Sequence, residues 1–219
     1  MARCLIFLII VLCWMIHPEM SPGQGFPEDP PVTYFPEQVK QLADTKKCPQ
    51  CNLMGADLSG MLLPHANLQK ALLSRANLNW TILSDAILNK AILEEASLSM
   101  VDLSRAGLKA AFLKHTILKF ANLYLTDFSG AYLQYANLKW VNATETKFEA
   151  ANMEHADLSN GIFKKAIFER ANLKYANLSQ AVFLDANFKD AHLEGANLSG
   201  ATWIDGRKCA ENSIGICEK

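Results

Sequence analysis

A five-residue repeat runs from Cys51 to Trp203 without an insertion or a deletion. Every residue in this stretch whose number ends in 3 or 8 is large and apolar, with the single exception of Ala143. Almost every residue whose number ends in 1 or 6 is Ala, Thr, Val, Cys or Gly. A fixed short period held over so long a stretch is typical of a repeat architecture, in which each unit packs only on its neighbours. This period constrains the fold more than any other property of the chain.

The large apolar positions sort by side-chain type when the sequence is read in steps of twenty. One series is Leu at every step from Leu58 to Leu198, whereas a second is Phe from Phe128 to Phe188. A third series ends in aromatic residues: Phe163, Phe183 and Trp203. Because like side chains stack in register along parallel strands, the step of twenty indicates coils of four five-residue sides.

Small and large positions on the third side also compensate each other in volume. Val141 precedes Ala143, whereas Gly161 precedes Phe163. A close-packed interior requires such trades, because one extra methylene costs about 1 to 3 kcal/mol. Both positions are therefore predicted to point inward, and substitutions there should destabilise the protein rather than remove a chemical activity.

Units such as Ala66-Asn67-Leu68 and Ala196-Asn197-Leu198 resemble the pentapeptide repeat family, whose motif is A(D/N)LXX. From Cys51 to Asp205 there are 31 consecutive units, or about 70% of the chain. The resemblance implies an all-β fold, a right-handed quadrilateral parallel β-helix of about eight coils. It also implies that the central Leu or Phe and the small residue two before it point inward.

The termini predict four segments along the chain. Residues 1–25 have the basic start and the thirteen-residue apolar run of a signal peptide, a run too short to cross a bilayer. Residues 26–47 are predicted to be a Pro-rich tether and a capping helix that spans Pro36 to Asp44. The β-helix is predicted for 48–205 and a C-terminal cap for 206–219. Caps at both ends argue against open end-to-end growth.

The four cysteines outside the signal peptide lie in two pairs, Cys48 with Cys51 and Cys209 with Cys217. The pairs belong to opposite ends of a rod roughly 35 to 40 Å long, so one chain cannot gather them around a zinc ion. We expect a disulfide within each pair, as is usual in exported proteins. Cys48 and Cys51 also match a redox CxxC motif, but their inward register favours a buried pair.

The sequence contains no motif for phosphate binding, metal-dependent hydrolysis or nucleophilic catalysis. His115 and His155 share an outward column but are separated by two coils, about 10 Å, with Tyr135 between them. They cannot share a metal directly. The sequence therefore predicts no enzyme activity, no cofactor and no metal. A net charge of −1 argues against a nucleic-acid partner.

Outward positions that depart from polar side chains are the candidates for a binding surface. Two columns in the middle coils do so, and both contain aromatic residues. The column on the second side is Trp80, Met100, Phe120 and Trp140, and the column on the first side is Leu72, Ile92, Phe112 and Tyr132. Stacked exposed aromatics of this kind form an interface patch. The alternative is that they cover backbone turns or reinforce the sheet.

The sequence thus favours an exported, non-catalytic β-helical scaffold that presents a rigid surface to another protein. The partner is unknown and includes a second copy of the chain; no nucleic acid and no membrane span are expected. The predicted location is periplasmic or secreted, with a thylakoid lumen as a further option. One alternative is a DNA-mimicking topoisomerase-protection protein, as in the quinolone-resistance members of the family. The other is a thiol-disulfide redox protein that uses Cys48 and Cys51.

Overall fold

The structure, a computed structural model, describes residues 35–218, and most of this range is a parallel β-helix. Each bridged residue pairs in parallel with the residue twenty positions later, from Lys47 with Asn67 to Val182 with Thr202. No strand in the described range is longer than the single residue that makes a bridge. We number the coils from coil 1, residues 51–70, to coil 8, residues 191–205. The sides of coil 1 are 51–55, 56–60, 61–65 and 66–70, and the same four sides recur every twenty residues.

Each five-residue unit from residues 51–55 to 181–185 forms the same hydrogen bonds with the coil above it. In the first unit, the N–H groups of Leu53 and Gly55 donate to the carbonyl oxygens of Leu72 and Ser74, at 2.8 and 2.9 Å. The N–H of Leu72 donates back to the carbonyl of Cys51 at 2.8 Å. Repetition of these bonds satisfies the backbone of every interior coil, which explains why strands of one bridge residue suffice.

A tight turn ends every unit. In the first unit the N–H of Ala56 donates to the carbonyl of Leu53 at 3.1 Å. Every residue from 50 to 200 whose number ends in 5 or 0 has a positive φ, between 52° and 70°. This left-handed third turn position is typical of a type II turn. Most of these positions are not glycine, so each such turn retains about 1 kcal/mol of backbone strain that the ladder must offset.

The Asn or Asp of the repeat motif stabilises the turn that follows it. Its side-chain oxygen accepts a hydrogen bond from the backbone N–H two residues later, for example from Ser59 to Asp57 at 3.1 Å. The same oxygen of Asp57 accepts a second hydrogen bond from Asn77, one coil above, at 3.0 Å. An Asx turn and an inter-coil ladder together account for the preference for Asn or Asp before the central residue.

The interior is filled by the positions that the sequence predicted. The central residues of coils 1 to 6 are buried, and Phe128, Phe148, Phe168 and Phe188 stack with ring centroids 5.3, 5.1 and 4.7 Å apart. Buried Thr126 donates its hydroxyl to the carbonyl of Leu103 at 2.7 Å. The buried polar atom is therefore satisfied and causes no penalty.

Helix α1, Pro36–Thr45, covers part of the N-terminal end and is one residue longer than the sequence predicted. Leu42 of this helix is fully buried, and Gln38 accepts a hydrogen bond from the N–H of Asn52 at 2.6 Å. The predicted signal peptide and residues 26–34 of the predicted tether lie outside the described residues. Within 35–218 no helix has the length and apolarity needed to cross a membrane.

The C-terminal cap covers only half of the last coil. The chain reverses after Gly206 and runs back antiparallel, with bridges from Thr202 to Lys208 and from Asn197 to Ile214. Both bridges lie on the third and second sides. The other two sides of this end, residues 186–195, have no bridge to the cap. The expectation that caps close both ends is therefore wrong for these two sides, because the returning segment turns back after Gly215, and the Ala210 N–H donates to the Glu218 carbonyl.

Candidate functional site

The column predicted on the second side is exposed along its whole length. Trp80, Met100, Phe120 and Trp140 retain 63%, 40%, 51% and 55% of their accessible surface. All four occupy the left-handed turn position at the corner between the second and third sides. Bulky residues are uncommon in this conformation, so the turn itself does not favour them there. Their side chains are also not needed for the interior, which is filled without them.

The column predicted on the first side divides into two parts. Leu72 and Ile92 are half-buried, whereas Phe112 and Tyr132 are exposed, at 38% and 44%. The rings of Phe112 and Tyr132 are nearly parallel, with centroids 5.0 Å apart. The coils before them present aliphatic side chains that reinforce the sheet, so the binding candidates on this side are the two aromatic residues.

A third column was not predicted as a site. His115, Tyr135, His155 and Tyr175 stack in one continuous series, with centroids 5.0, 4.9 and 5.2 Å apart. The series runs along the corner between the first and second sides and ends over Gly195, where a Cβ atom would lie 2.4 Å from the Tyr175 ring. Tyr135 separates the two histidines, as the sequence predicted. The signal that could have revealed the column is the twenty-residue spacing of four rings at the turn position.

These columns meet on the first and second sides of coils 4 and 5, residues 111–120 and 131–140. We call this region the aromatic face. It presents two rings from each column, with Ile117 exposed between them. Its three ring pairs are Phe112 with Tyr132, His115 with Tyr135, and Phe120 with Trp140. Because the rings cover each other along the rod axis, they turn their edges outward and hold a fixed array.

The aromatic face is basic. Residues 111–120 and 131–140 include Lys114, Lys119 and Lys139 but no Asp or Glu. Lys139 pairs with Asp157 in the next coil at 3.0 Å, whereas Lys114 and Lys119 form no ion pair within residues 35–218. The face also contains a buried acceptor, Gln134 Oε1, that has no hydrogen-bond partner among the described residues. A buried acceptor without a partner costs about 1 to 3 kcal/mol.

Two carboxylates outside the aromatic face, Asp127 and Asp157, are engaged in local pairs. Burial raises the pKa of Asp157, but hydrogen bonds from Ser159 and the Lys139 ion pair outweigh it, so the net pKa is lowered. Asp127 has the same balance, with burial opposed by Ser129 and Lys109, and its pKa is also lowered. These two carboxylates remain ionised, and each has a basic partner in place.

The cysteine pairs lie at the two ends, as the sequence predicted. Cys48 and Cys51 form a disulfide with Cα atoms 5.3 Å apart, and Cys209 and Cys217 form one with Cα atoms 4.9 Å apart. Cys48 is fully buried and Cys51 is 8% exposed. Thiol-disulfide exchange needs an accessible sulfur, so this geometry suits a staple rather than a redox site. No group of three or more potential metal ligands comes together within 35–218.

A family model for pentapeptide repeats matches eight copies in this chain, at residues 51–89, 121–160 and 166–202. The matched residues make up more than half of the sequence. No curated protein matches the chain. The match rests on the repeat positions that form the interior and the turns, and it includes neither the cap nor helix α1.

Solved structures of pentapeptide repeat proteins resemble the chain. A trypsin-treated variant of QnrB1, a plasmid-mediated fluoroquinolone resistance protein, is 19% identical, with 71% of this chain and 78% of that chain covered and a TM-score of 0.63. HetL, involved in heterocyst differentiation regulation in the cyanobacterium Nostoc sp. strain PCC 7120, is 26% identical over 80% of this chain and 99% of its own, with a TM-score of 0.44. A thylakoid-lumen protein of Arabidopsis thaliana is 19% identical over 74% and 71%, with a TM-score of 0.15. The likeness to QnrB1 supports the fold alone.

Proposed function

Because the chain belongs to the pentapeptide repeat family, we propose that it is a non-catalytic scaffold that binds another protein through its aromatic face. The observation that carries the proposal is the array of stacked, exposed rings on residues 111–120 and 131–140. Aromatic residues are enriched in the centres of protein interfaces, and contiguous exposed apolar patches mark such sites. Neither the interior nor the turns require rings at these positions.

The array is ordered before a partner arrives. The ring of Tyr135 lies between those of His115 and His155, and Phe112 stacks on Tyr132. Each ring that is already fixed avoids the side-chain ordering cost of about 0.5 to 1.5 kcal/mol that association normally includes. A β-helix therefore offers a rigid binding surface at little entropic cost.

The charges of the face indicate the chemistry of its partner. Lys114 and Lys119 form no ion pair within the described residues, and no carboxylate lies between the aromatic columns. A protein surface that combines carboxylates with apolar side chains would complement this arrangement.

We further propose that the protein works after export, although the predicted signal peptide lies outside the described residues. The basic start and short apolar run of residues 1–25 support this proposal. So do the two disulfides, which persist in oxidising compartments.

Topoisomerase protection is not adopted. QnrB1 is a fluoroquinolone resistance protein, but at 19% identity the likeness concerns the fold. DNA mimicry requires rows of free carboxylates, whereas Asp85 and Asp127 are paired with Arg105 and Lys109. Inhibition or protection of gyrase supercoiling by the purified protein would restore this alternative.

The proposed function is tested by replacing rings at the turn position with Asn, which tolerates the left-handed conformation. The test variant is Phe120→Asn with Trp140→Asn, and the control is Leu125→Asn with Tyr175→Asn, which lie at equivalent turns outside the face. Proteins crosslinked to the exported chain are identified by mass spectrometry, then purified for titration.

We expect one identified partner to bind the wild type and the control variant equally, and the test variant at least about 10-fold more weakly. Equal binding of that partner to both variants would show that the aromatic face is not its site. Comparable thermal unfolding of the variants establishes that both are folded.

A further inference from the structure

The C-terminal end of the rod is stepped. The cap raises the second and third sides by one strand, about 4.8 Å, whereas the fourth and first sides end at the bare strands of residues 186–195. We call the cap together with these bare strands the stepped end.

The bare strands present an unpaired edge. Within residues 35–218, four N–H groups of this edge donate no hydrogen bond, and two carbonyl groups accept none. The N–H groups are those of Phe188, Asp190, Leu193 and Gly195, and the carbonyls are those of Ala186 and Ala191. Phe188, Ala191 and Leu193 point inward but remain partly exposed, unlike the inward residues of the middle coils. Natural proteins rarely leave such an edge uncovered.

The outer edge of the cap is also open. The peptide groups of Lys208 and Ile214 neither donate nor accept a hydrogen bond within the described residues. Ile214 and Ile216, both on the cap, are 53% and 65% exposed. The stepped end thus combines unpaired donors, unpaired acceptors and apolar side chains on both of its levels.

We propose that the stepped end binds the stepped end of a second copy of this chain. A two-fold axis perpendicular to the rod, through the corners that separate capped from bare sides, places each cap over the bare strands of the other copy. The raised half of one copy fills the lowered half of the other, so the shape is self-complementary. A two-fold contact requires donors and acceptors on the same patch, and the stepped end has both.

The N-terminal end does not offer an equivalent surface for the bare strands. Over the fourth side it carries the unit 46–50, with a parallel bridge from Lys47 to Asn67. Helix α1 contacts this unit, with Gln41 donating to the Lys47 carbonyl, and its own backbone hydrogen bonds are internal and cannot extend a ladder. The N–H of Asn52 is already bound to Gln38 there. Head-to-tail stacking would therefore set a helix against unpaired strands, whereas tail-to-tail pairing closes after two copies.

The experiment measures the mass of the exported, oxidised chain by sedimentation equilibrium from roughly 1 to 200 µM, a range that covers weak and moderate association. The test variant is Ile214→Glu with Ile216→Glu, on the cap. The control is Leu62→Glu with Ile162→Glu, whose 68% and 42% exposure match the cap positions and which lie on the third side away from this end. Amide hydrogen exchange is followed at Phe188 and Leu193 in parallel.

We expect the wild type and the control to form dimers, with exchange at Phe188 and Leu193 slowing as concentration rises. The cap variant should dissociate at least about 30-fold more readily and lose that protection. A wild type that remains monomeric over the whole range, or equal dimerisation of the cap and control variants, would overturn the proposal. Masses that grow beyond the dimer would indicate head-to-tail stacking instead. Loss of the dimer in the Phe120→Asn, Trp140→Asn variant alone would assign self-association to the aromatic face.

Discussion

Gly161→Ala tests whether volume trades set the packing of the third side. A Cβ atom at Gly161 would lie 2.5 Å from Cε2 of Phe163 and 3.1 Å from the carbonyl oxygen of Leu158. The first distance is far inside van der Waals contact, so the ring would have to move. Gly161 is not among the residues with positive φ, and its backbone would accept alanine. The penalty therefore comes from the ring rather than from the main chain.

The ring of Phe163 has little room to move. It stacks on Phe183 at 5.3 Å and packs at a tilt on Phe148 and Phe168 at 6.2 and 5.8 Å. Forcing extra volume into a packed core costs about 1 to 3 kcal/mol. Replacing Gly by Ala recovers about 0.4 to 1 kcal/mol through the unfolded chain. The net effect should be a loss of about 1 to 2 kcal/mol in the free energy of unfolding.

A double-mutant cycle with Phe163→Leu isolates the volume compensation between positions 161 and 163. Leu123 occupies the equivalent position two coils before Phe163. Ala121 stands two residues before Leu123, so alanine and leucine fit together in this fold. In the Phe163→Leu background, Gly161→Ala should be neutral or stabilising by up to about 1 kcal/mol. The coupling energy between the two sites should then be about 1 to 3 kcal/mol, measured by guanidinium denaturation of the oxidised protein.

Gly107→Ala is the control, since a Cβ there meets only the side chain of Asn89, at 3.2 Å. Its effect should stay within about 0.5 kcal/mol. The reasoning fails if Gly161→Ala has the same effect in both backgrounds, or if it stabilises the wild type. Ala181 already precedes Phe183, so a small effect would show that Phe163 can adopt the arrangement of the next coil.

Three further predictions concern the turns, the carboxylates and the cap. Ala150→Gly should leave the free energy of unfolding unchanged or raise it by about 0.5 kcal/mol because Ala150 has a φ of 52°. The adjacent substitution Ala151→Gly should lower the free energy of unfolding by about 1 kcal/mol because it removes a buried methyl group. Equal effects of the two substitutions on thermal unfolding would contradict the strain assigned to the turns. The folded-state pKa values of Asp127 and Asp157 are lowered, so their contribution is present above the unfolded value of about 4 and is lost as pH falls through the folded values. In unfolding titrations the free energy of unfolding should therefore be constant above about pH 5 and should fall below about pH 4. Asp157→Asn, which can keep the Asx turn, should reduce the dependence on pH. An unchanged pH dependence for this variant and for Asp127→Asn would refute the assignment. Cys209→Ser with Cys217→Ser should lower the free energy of unfolding by about 2 to 3 kcal/mol. Hydrogen exchange should then rise at Leu198 and Trp203, whose N–H groups bond to the cap, and a uniform rise along the rod would be inconsistent with a local staple.

The interior was predictable because each inward position repeats one environment. The step of twenty that groups Phe128 with Phe148 in the sequence is the step of the parallel bridges in the structure. The contact of position 161 with Phe163 likewise joins residues only two positions apart. In both cases the separation along the sequence tells which residues are in contact, so the contact can be predicted from the sequence.

The turns and the C-terminal end were not predictable in the same way. Residues such as Trp80 and Lys90 have no intrinsic preference for a positive φ, and the surrounding ladder imposes it. The half-cap depends on where the chain reverses after Gly206, which the repeat does not encode. The sequence places His115, Tyr135 and His155 in one column, but it was considered only as a metal site, and the column spacing alone does not show that the rings stack at 5.0 and 4.9 Å.

The aromatic face exists because residues twenty positions apart lie on the same side of successive coils. Duplicating one unit between Phe120 and Trp140 would change no local contact of any turn and would preserve every inward apolar position. It would nevertheless rotate all later coils by a quarter turn, so that Trp140 would no longer follow Phe120 along one corner. Surfaces on this fold can therefore be separated or realigned by inserting whole units of five, while the core remains filled.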